Sequence, residues 1–471
     1  MTRPGRNAGR YRAAHLHQPA GWLSPGYLEI DDAGRIIAVE SAHPASWSDD
    51  EYHDLSGFVL PGMPNLHSHA HQRGIAGRAE GIPGSTHADF WSWRDRMYAH
   101  ANALSPEDLE AIATFAYVEM LLAGFTTVGE FHYLHHDKDG RPYANPAELS
   151  ERIVAAAGRT GIGLTLLPAL YTQGGIGAPP NDGQRRFVHR DVDGFLRLVE
   201  VLRTLSNDDP TLRVGVAPHS LRSVAVDEIA NLLRGIDTLN PTAPIHIHAA
   251  EQVREVEECL ASLHARPVEW LLEHVDLSSR WTLIHATHVT DDERRGIARC
   301  GATVGLCPIT EANLGDGLFP LIDFQADGGR WGIGTDSNVA VSLGDELRML
   351  DYGQRLIHRR RDAVVTPGNS ATEHPGRVLF DRALSGGAIA LAQPVGAIVP
   401  GLRADLIELD PDGVALLRHA PATVLDAWII SATTPVVRNV MVAGTWVVRD
   451  GHHPLAWEAS DGFARTLRML D

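Results

Sequence analysis

Eight apolar, β-rich runs recur in the middle of the chain, at residues 59–67, 125–131, 162–170, 213–218, 244–249, 281–286, 302–307 and 331–335. Stretches of helical patterning separate them. Continuous apolar strands are buried on both faces, and strands alternating with helices form a parallel sheet, because a parallel neighbour is reached only through a crossover. Eight such units predict an α/β fold, a closed (β/α)8 barrel of the TIM type, with functional groups at the strands' C-terminal ends. The helices carry start and stop signals. Ser105-Pro-Glu-Asp108 sets a cap, a first-turn proline and two acids before Leu109, and Gly124 follows the apolar face.

The two ends of the chain have a different texture. Tyr27-Leu-Glu-Ile30, Asp32-Ala-Gly34 and Arg35-Ile-Ile-Ala-Val39 read as short strands joined by turns, and so do Gly401-Leu-Arg-Ala-Asp405-Leu and Val436–Val448. One small composite β-sandwich domain built from both termini is expected. Residues 1–58 would form its N-terminal part, 59–392 the barrel and 393–471 its C-terminal part. Segments 137–147 and 172–190, rich in Gly, Pro and Asn, are expected as loops on the barrel rim.

Charge and composition exclude several classes. A net charge of −18 repels nucleic-acid phosphates, although a local arginine cluster can still attract a small anion. No apolar run reaches the roughly 18 residues needed to span a bilayer, and Met1-Thr-Arg-Pro-Gly-Arg-Asn7 lacks the apolar core of a secretory signal. Cys259, Cys300 and Cys307 show no CxxC spacing, as expected of free thiols in a reducing cytoplasm.

The chemistry gathers where the runs end. The first run ends in His67-Ser-His69, whose imidazoles would share one face of a strand about 7 Å apart and could grip one metal ion together. With 25 histidines in 471 residues, about one such pair arises by chance. Three further ends single this one out: His246-Ile-His248-Ala-Ala-Glu251, His285-Ala-Thr-His288 and Gly334-Thr-Asp336-Ser-Asn338. His246 lies deeper than His248 on its face and reads as a packed interior residue. His71 reads as a loop residue, and His132, His135, His136 and His288 as solvated or supporting groups.

Taken together, these ends resemble the amidohydrolase superfamily, over nearly the whole chain. The resemblance implies a metal-dependent hydrolase. It makes His67, His69, His248 and Asp336 the metal ligands, and assigns Glu251, His285 and Asp336 to proton transfer and to handling the attacking water. Three neutral imidazoles and a carboxylate leave one coordination position open, and a metal so held lowers the pKa of bound water toward neutrality. Some relatives bridge two metals with a lysine at the end of the fourth strand. Here that strand ends Val216-Ala-Pro-His219, and the single lysine, Lys138, follows the second. One divalent metal per subunit is therefore expected, zinc, with iron compatible with the same ligands.

Within the superfamily, His67-Ser-His-Ala-His-Gln72-Arg, Phe90-Trp-Ser-Trp-Arg94, Glu130-Phe-His-Tyr133 and Ala217-Pro-His-Ser-Leu-Arg222 resemble the formimidoylglutamate deiminases. That likeness implies Arg94, Tyr133 and Arg222 against the two carboxylates of a dicarboxylate substrate, Gln72 and His219 near its formimino end, and a homodimer. Arginine suits carboxylates because its donors form a rigid fork. Two alternatives stand beside this reading. A guanine-type deaminase would need a stacking pocket instead of arginines. A non-enzymatic relative would have lost ligand positions that this chain retains.

Overall fold

The computed structural model describes residues 8–48, 52–81, 89–207, 209–366, 368 and 373–470. All eight runs contain strand, and they form the staves of one barrel. Met63–Ser68, Phe125–His132, Gly163–Leu170 and the split pair Leu212–Val214 and Ala217–Pro218 make a first parallel arc. Ile245–Ala249, Trp281–His285, Thr303–Leu306 and Arg330–Ile333 make the second. Two seams close the ring. At one, Val216 bridges Ile245 and Ser220 bridges His248; at the other, Ser68 bridges Asp336. Residues that looked like metal ligands thus lie on the seams.

The first run differs from expectation in one respect. Residues 59–67 are not one strand, since His53–Pro61 belongs to a second sheet and Met63–Ser68 to the barrel. Gly62 is the joint, and there is no room for a side chain: a Cβ there would lie 2.2 Å from the Thr126 side chain. An apolar run crossing two adjacent sheets shows no break in hydropathy, so pattern alone could not divide it. The strand pairing argues for dividing the chain at Gly62 instead of after residue 58.

The second sheet is mixed and draws on both termini. His53–Pro61 pairs parallel to Gly9–Gln18 and antiparallel to Leu406–Leu409, so one N-terminal strand joins the two ends of the chain. Val437–Val442 and Thr445–Val448 extend one side, and Gly26–Ile30 with Ile36–Glu40 the other. The sheet curls until its far sides meet. Arg35 bridges Arg403, and Gly34, at φ +72°, lies so close to Ala443 that a Cβ would sit 2.0 Å from its carbonyl oxygen. A separate apolar core, including Tyr11, Leu16, Leu28, Val59, Leu406 and Met441, fills the interior.

Helices cover the barrel as their caps foretell. Ser105 Oγ accepts from the Asp108 N–H at 3.1 Å, the Asp108 carboxylate accepts from the Ser105 N–H at 2.9 Å, and Gly124 ends Pro106–Ala123 at φ +99°. None of the described helices is long and apolar enough to cross a membrane.

Candidate active site

At the C-terminal mouth of the barrel the strand-end residues converge. His67 Nε2 lies 3.2 Å from His248 Nε2 and 3.5 Å from Asp336 Oδ1, and His69 Nε2 is 3.4 Å from the same oxygen. Four ligand atoms at the corners of a tetrahedron around zinc, about 2.0–2.1 Å from its centre, are about 3.3–3.4 Å apart. The ligand atoms of the three imidazoles all lie within 4.8 Å of one another.

Backbone carbonyls fix the proton on two of these rings. His69 Nδ1 is 2.8 Å from the Phe131 carbonyl and His248 Nδ1 3.1 Å from the His219 carbonyl. A carbonyl only accepts, so each Nδ1 carries the hydrogen and each Nε2 keeps its lone pair for a cation. Burial pushes all three imidazoles below the usual histidine range, His67 to about 3, and keeps them in the neutral form a metal requires. Asp336 moves the other way: burial opposes its charge, but the facing histidines hold it ionised, below the ordinary carboxylate range.

Behind the cluster, Glu251 and His285 are buried and 3.7 Å apart (Oε1 to Nε2), with His285 Nε2 also 3.7 Å from Asp336 Oδ2. Burial disfavours a charged His285. The carboxylates of Glu251, Glu311 and Asp336 outweigh it and lift the ring to about 10. Glu251 is raised by burial, an effect that His285 and Arg222 oppose. The backbone here is strained. Ala250, His285, Ala286, Asp336 and Asn338 all have φ between +45° and +68°, a left-handed conformation that costs non-glycine residues about 1–3 kcal/mol each. Such strain persists only where the surroundings impose it, and here it lies at three strand ends.

The sequence of the Amidohydrolase family matches residues 58–447, most of the chain. The chain belongs to the amidohydrolase family. It is 47% identical over 454 residues to a formimidoylglutamate deiminase of Pseudomonas aeruginosa, covering 96% of this chain and 97% of the relative. A 5-methylthioadenosine/S-adenosylhomocysteine deaminase of Nitratidesulfovibrio vulgaris is 29% identical, with 91% and 89% covered. The crystal structure of an amidohydrolase from Brucella melitensis superposes with a TM-score of 0.90 at 46% identity, covering 98% of this chain and 99% of that one.

In this amidohydrolase a cavity of about 450 Å³ opens onto the cluster, and every substrate-binding residue expected from the sequence lines it: Gln72, Arg94, Tyr133, His219 and Arg222. Their engagements differ. The Tyr133 hydroxyl accepts from Gln72 Nε2 at 2.7 Å and lies 3.1 Å from His71 Nε2, leaving Gln72 Oε1 buried without a partner among the described residues. Arg94 stacks on Trp91 and Tyr98, its guanidinium carbon 4.4 Å and 5.4 Å from the ring centroids. Arg222 is ion-paired, Nη2 to Glu251 Oε2 at 3.1 Å and Nε to Glu255 Oε2 at 3.7 Å.

Sequence reading missed the residues that hold these groups in place. Glu311 accepts from His285 Nδ1 at 3.1 Å and from the Cys307 N–H at 2.9 Å. Glu255 accepts from the N–H groups of Ala250 and Glu251, fixing the turn that aims Glu251. Asn338 donates to the carbonyls of His69 and Asp336, tying the eighth strand to the first. Asn338 stands in the stretch Gly334–Asn338, but nothing in the sequence marks an amide that braces two strands until those strands are assembled. His246 is packed inside as expected, bonded to the Ala390 carbonyl at 2.8 Å. His132 and His135 are buried, not solvated, and His71 is buried against Tyr133 in the turn Ala70–Ile75.

Proposed function

We propose that this amidohydrolase hydrolyses N-formimino-L-glutamate to N-formyl-L-glutamate and ammonia. One observation carries the reading: a single cavity joins the His67–His69–His248–Asp336 cluster to arginines at 94 and 222. The likeness to a formimidoylglutamate deiminase at 47% identity supports it. The facing nitrogens and the carboxylate fit one divalent cation, for which we infer zinc, and iron would accept the same donors. A mononuclear site agrees with the exposure of Lys138, the chain's single lysine, in the loop after the second strand.

A metal held by His67, His69, His248 and Asp336 would supply Lewis acidity toward water and the C=N group. Asp336 is placed to accept the proton that the attacking water gives up. Oxygen then adds to the formimino carbon while Glu251, raised by burial above the ordinary carboxylate range, protonates the imino nitrogen. The His285 imidazolium, held charged between Glu251, Glu311 and Asp336, donates to the oxygen of the tetrahedral intermediate. Asp336 hands its proton on to the same nitrogen, Glu251 takes back the proton of the added hydroxyl as the C=O bond forms, the C–N bond breaks, and a formamide and ammonia remain. Arg94 and Arg222 with the Tyr133 hydroxyl orient the two carboxylates, and Gln72 Oε1 with His219 faces the formimino end.

The aromatic lining, Phe90, Trp91 and Trp93 included, would suit a heterocycle instead. Guanidinium groups already lie against two of these rings, however: Arg94 at Trp91 and Arg222 at Phe90, 5.7 Å from its centroid. Ammonia release from N-formimino-L-glutamate, formamidine, guanine and adenosine, with metal quantified, tests the reading. Faster turnover of a purine than of the dicarboxylate overturns it.

The resemblance also implies a homodimer, and the cysteine usage a reducing cytoplasm. Exposed Met349, Tyr352, Leu356 and Ile357 on the helix Leu343–His358 support a subunit contact, and Cys259, Cys300 and Cys307 are unpaired.

A further inference from the structure

A dicarboxylate entering a protein of net charge −18 needs two uncompensated cations at the cavity, one for each carboxylate. Arg222 is compensated within the protein by Glu251 and Glu255. Arg94 is not: it has no carboxylate partner among the described residues, its Nε is buried without a hydrogen bond, and it rests on Trp91. The cavity has one more arginine. Arg254 lies in the first turn of the helix Val253–Leu263, and Arg254, Glu258 and Ser262, spaced four apart, turn one side of that helix to the cavity. Its guanidinium carbon lies 4.3 Å from the Trp91 ring centroid, as close as that of Arg94 at 4.4 Å. Trp91 therefore contacts two cations, and among the described residues the carboxylate paired with them is Glu258, 2.7 Å from Arg254 Nε.

We propose that Arg254 is a specificity-determining residue, which with Arg94 binds the outer carboxylate of the substrate at the cavity mouth while Glu258 competes for it. The inference rests on the dicarboxylate reading above and adds a residue to which neither the family likeness nor the sequence motifs drew attention. Arg254 is 59% exposed in its side chain, so its contribution is screened and modest. The two members of the pair should act in opposite directions, because Glu258 holds Arg254 away from the substrate.

The test is steady-state kinetics of Arg254→Gln and Glu258→Gln holoenzymes on N-formimino-L-glutamate and on neutral formamidine, at low and high salt. Arg254→Gln should raise KM for the dicarboxylate about fivefold, the size of an exposed charge pair. It should leave kcat unchanged, flatten the salt dependence and spare formamidine. Glu258→Gln should lower KM. An unchanged KM in Arg254→Gln, an equal loss on formamidine, or a KM that rises in both variants would overturn the assignment, the last because the pair would then be a structural bridge. Should the unmodified enzyme fail on N-formimino-L-glutamate, the parent reading falls on its own. Calorimetric binding of glutarate then decides for Arg254: a fivefold weaker Kd in Arg254→Gln sustains it, and an equal Kd refutes it.

Discussion

Two clusters of buried charge lie at opposite ends of the barrel, and their difference shows how a site is told from a strut. At the N-terminal end, Arg403 spans Asp405 with Nε to Oδ1 at 2.8 Å and Nη2 to Oδ2 at 2.7 Å. Its remaining donors reach Gln393 Oε1 at 2.8 Å and Thr127 Oγ1 at 2.6 Å, while Asp405 Oδ1 also accepts from the Ala443 N–H at 2.9 Å. These bonds clamp the curled sheet to the second barrel strand. At the C-terminal end, by contrast, the Nε2 atoms of His67, His69 and His248 face one another and Asp336, with His69, His248 and Asp336 in the wall of the cavity. Burial and charge are common to both clusters. What separates them is that one has satisfied its donors internally and the other has aimed its acceptors at a point where a cation would sit.

The sharpest way to break that contrast is to neutralise Asp336. Asp336→Asn is the cleaner variant, since asparagine tolerates the φ of +45° that alanine would resist. It should lower turnover by about 10⁴-fold or more, beyond the loss of one proton-transfer group, because the residue both holds the metal and takes a proton. Elemental analysis should show metal content falling with activity. A variant that keeps both would sever Asp336 from the site. Glu251→Gln should cost about 10²–10⁴-fold in kcat with the metal retained. Near-normal turnover would leave Glu251 a structural partner of Arg222.

At the other pole, Arg403→Met should leave an uncompensated buried carboxylate and destabilise the fold by about 3–5 kcal/mol, read as a lower urea midpoint. Below the unfolding transition its KM and metal content should match those of the unmodified protein. Lost metal with an unchanged midpoint would show that the two clusters are not the separate devices their bonding suggests.

How much of this was legible in the sequence follows the same division. Strand ends could be read as converging, because a barrel brings the C-terminal ends of its strands to one mouth, and the likeness to the amidohydrolases then singled out His67, His69, His248, Glu251, His285 and Asp336 among them. Gln72, Arg94, Tyr133, His219 and Arg222 came through motif likeness, and the fold puts all five around one cavity. Glu255, Glu311 and Asn338 were invisible, because what they hold is backbone or a ring already counted. Their partners are set by tertiary turns with no sequence period. The joint at Gly62 was hidden for a similar reason: both sheets ask the same apolar residues of the chain.

Arg222 stands between the two poles and so offers the finest test of the contrast. Its ion pairs with Glu251 and Glu255 resemble those of the clamp, yet it lines the cavity and lies against Phe90. If its role is to take a substrate carboxylate, binding exchanges a weaker internal pairing for a charge-assisted bond worth roughly 1.5–3 kcal/mol, and losing it should cost about one to two decades in kcat/KM. Arg222→Met should show that loss on N-formimino-L-glutamate and a smaller one on formamidine, which presents no carboxylate. The residual loss has its own sign. The cation favours ionised Glu251, so its removal should raise the carboxyl further, and the alkaline limb of the formamidine profile, where Glu251 loses the proton it donates, should move to higher pH. Equal losses on both compounds with an unshifted profile would place Arg222 with the clamp, as a strut that happens to face the cavity.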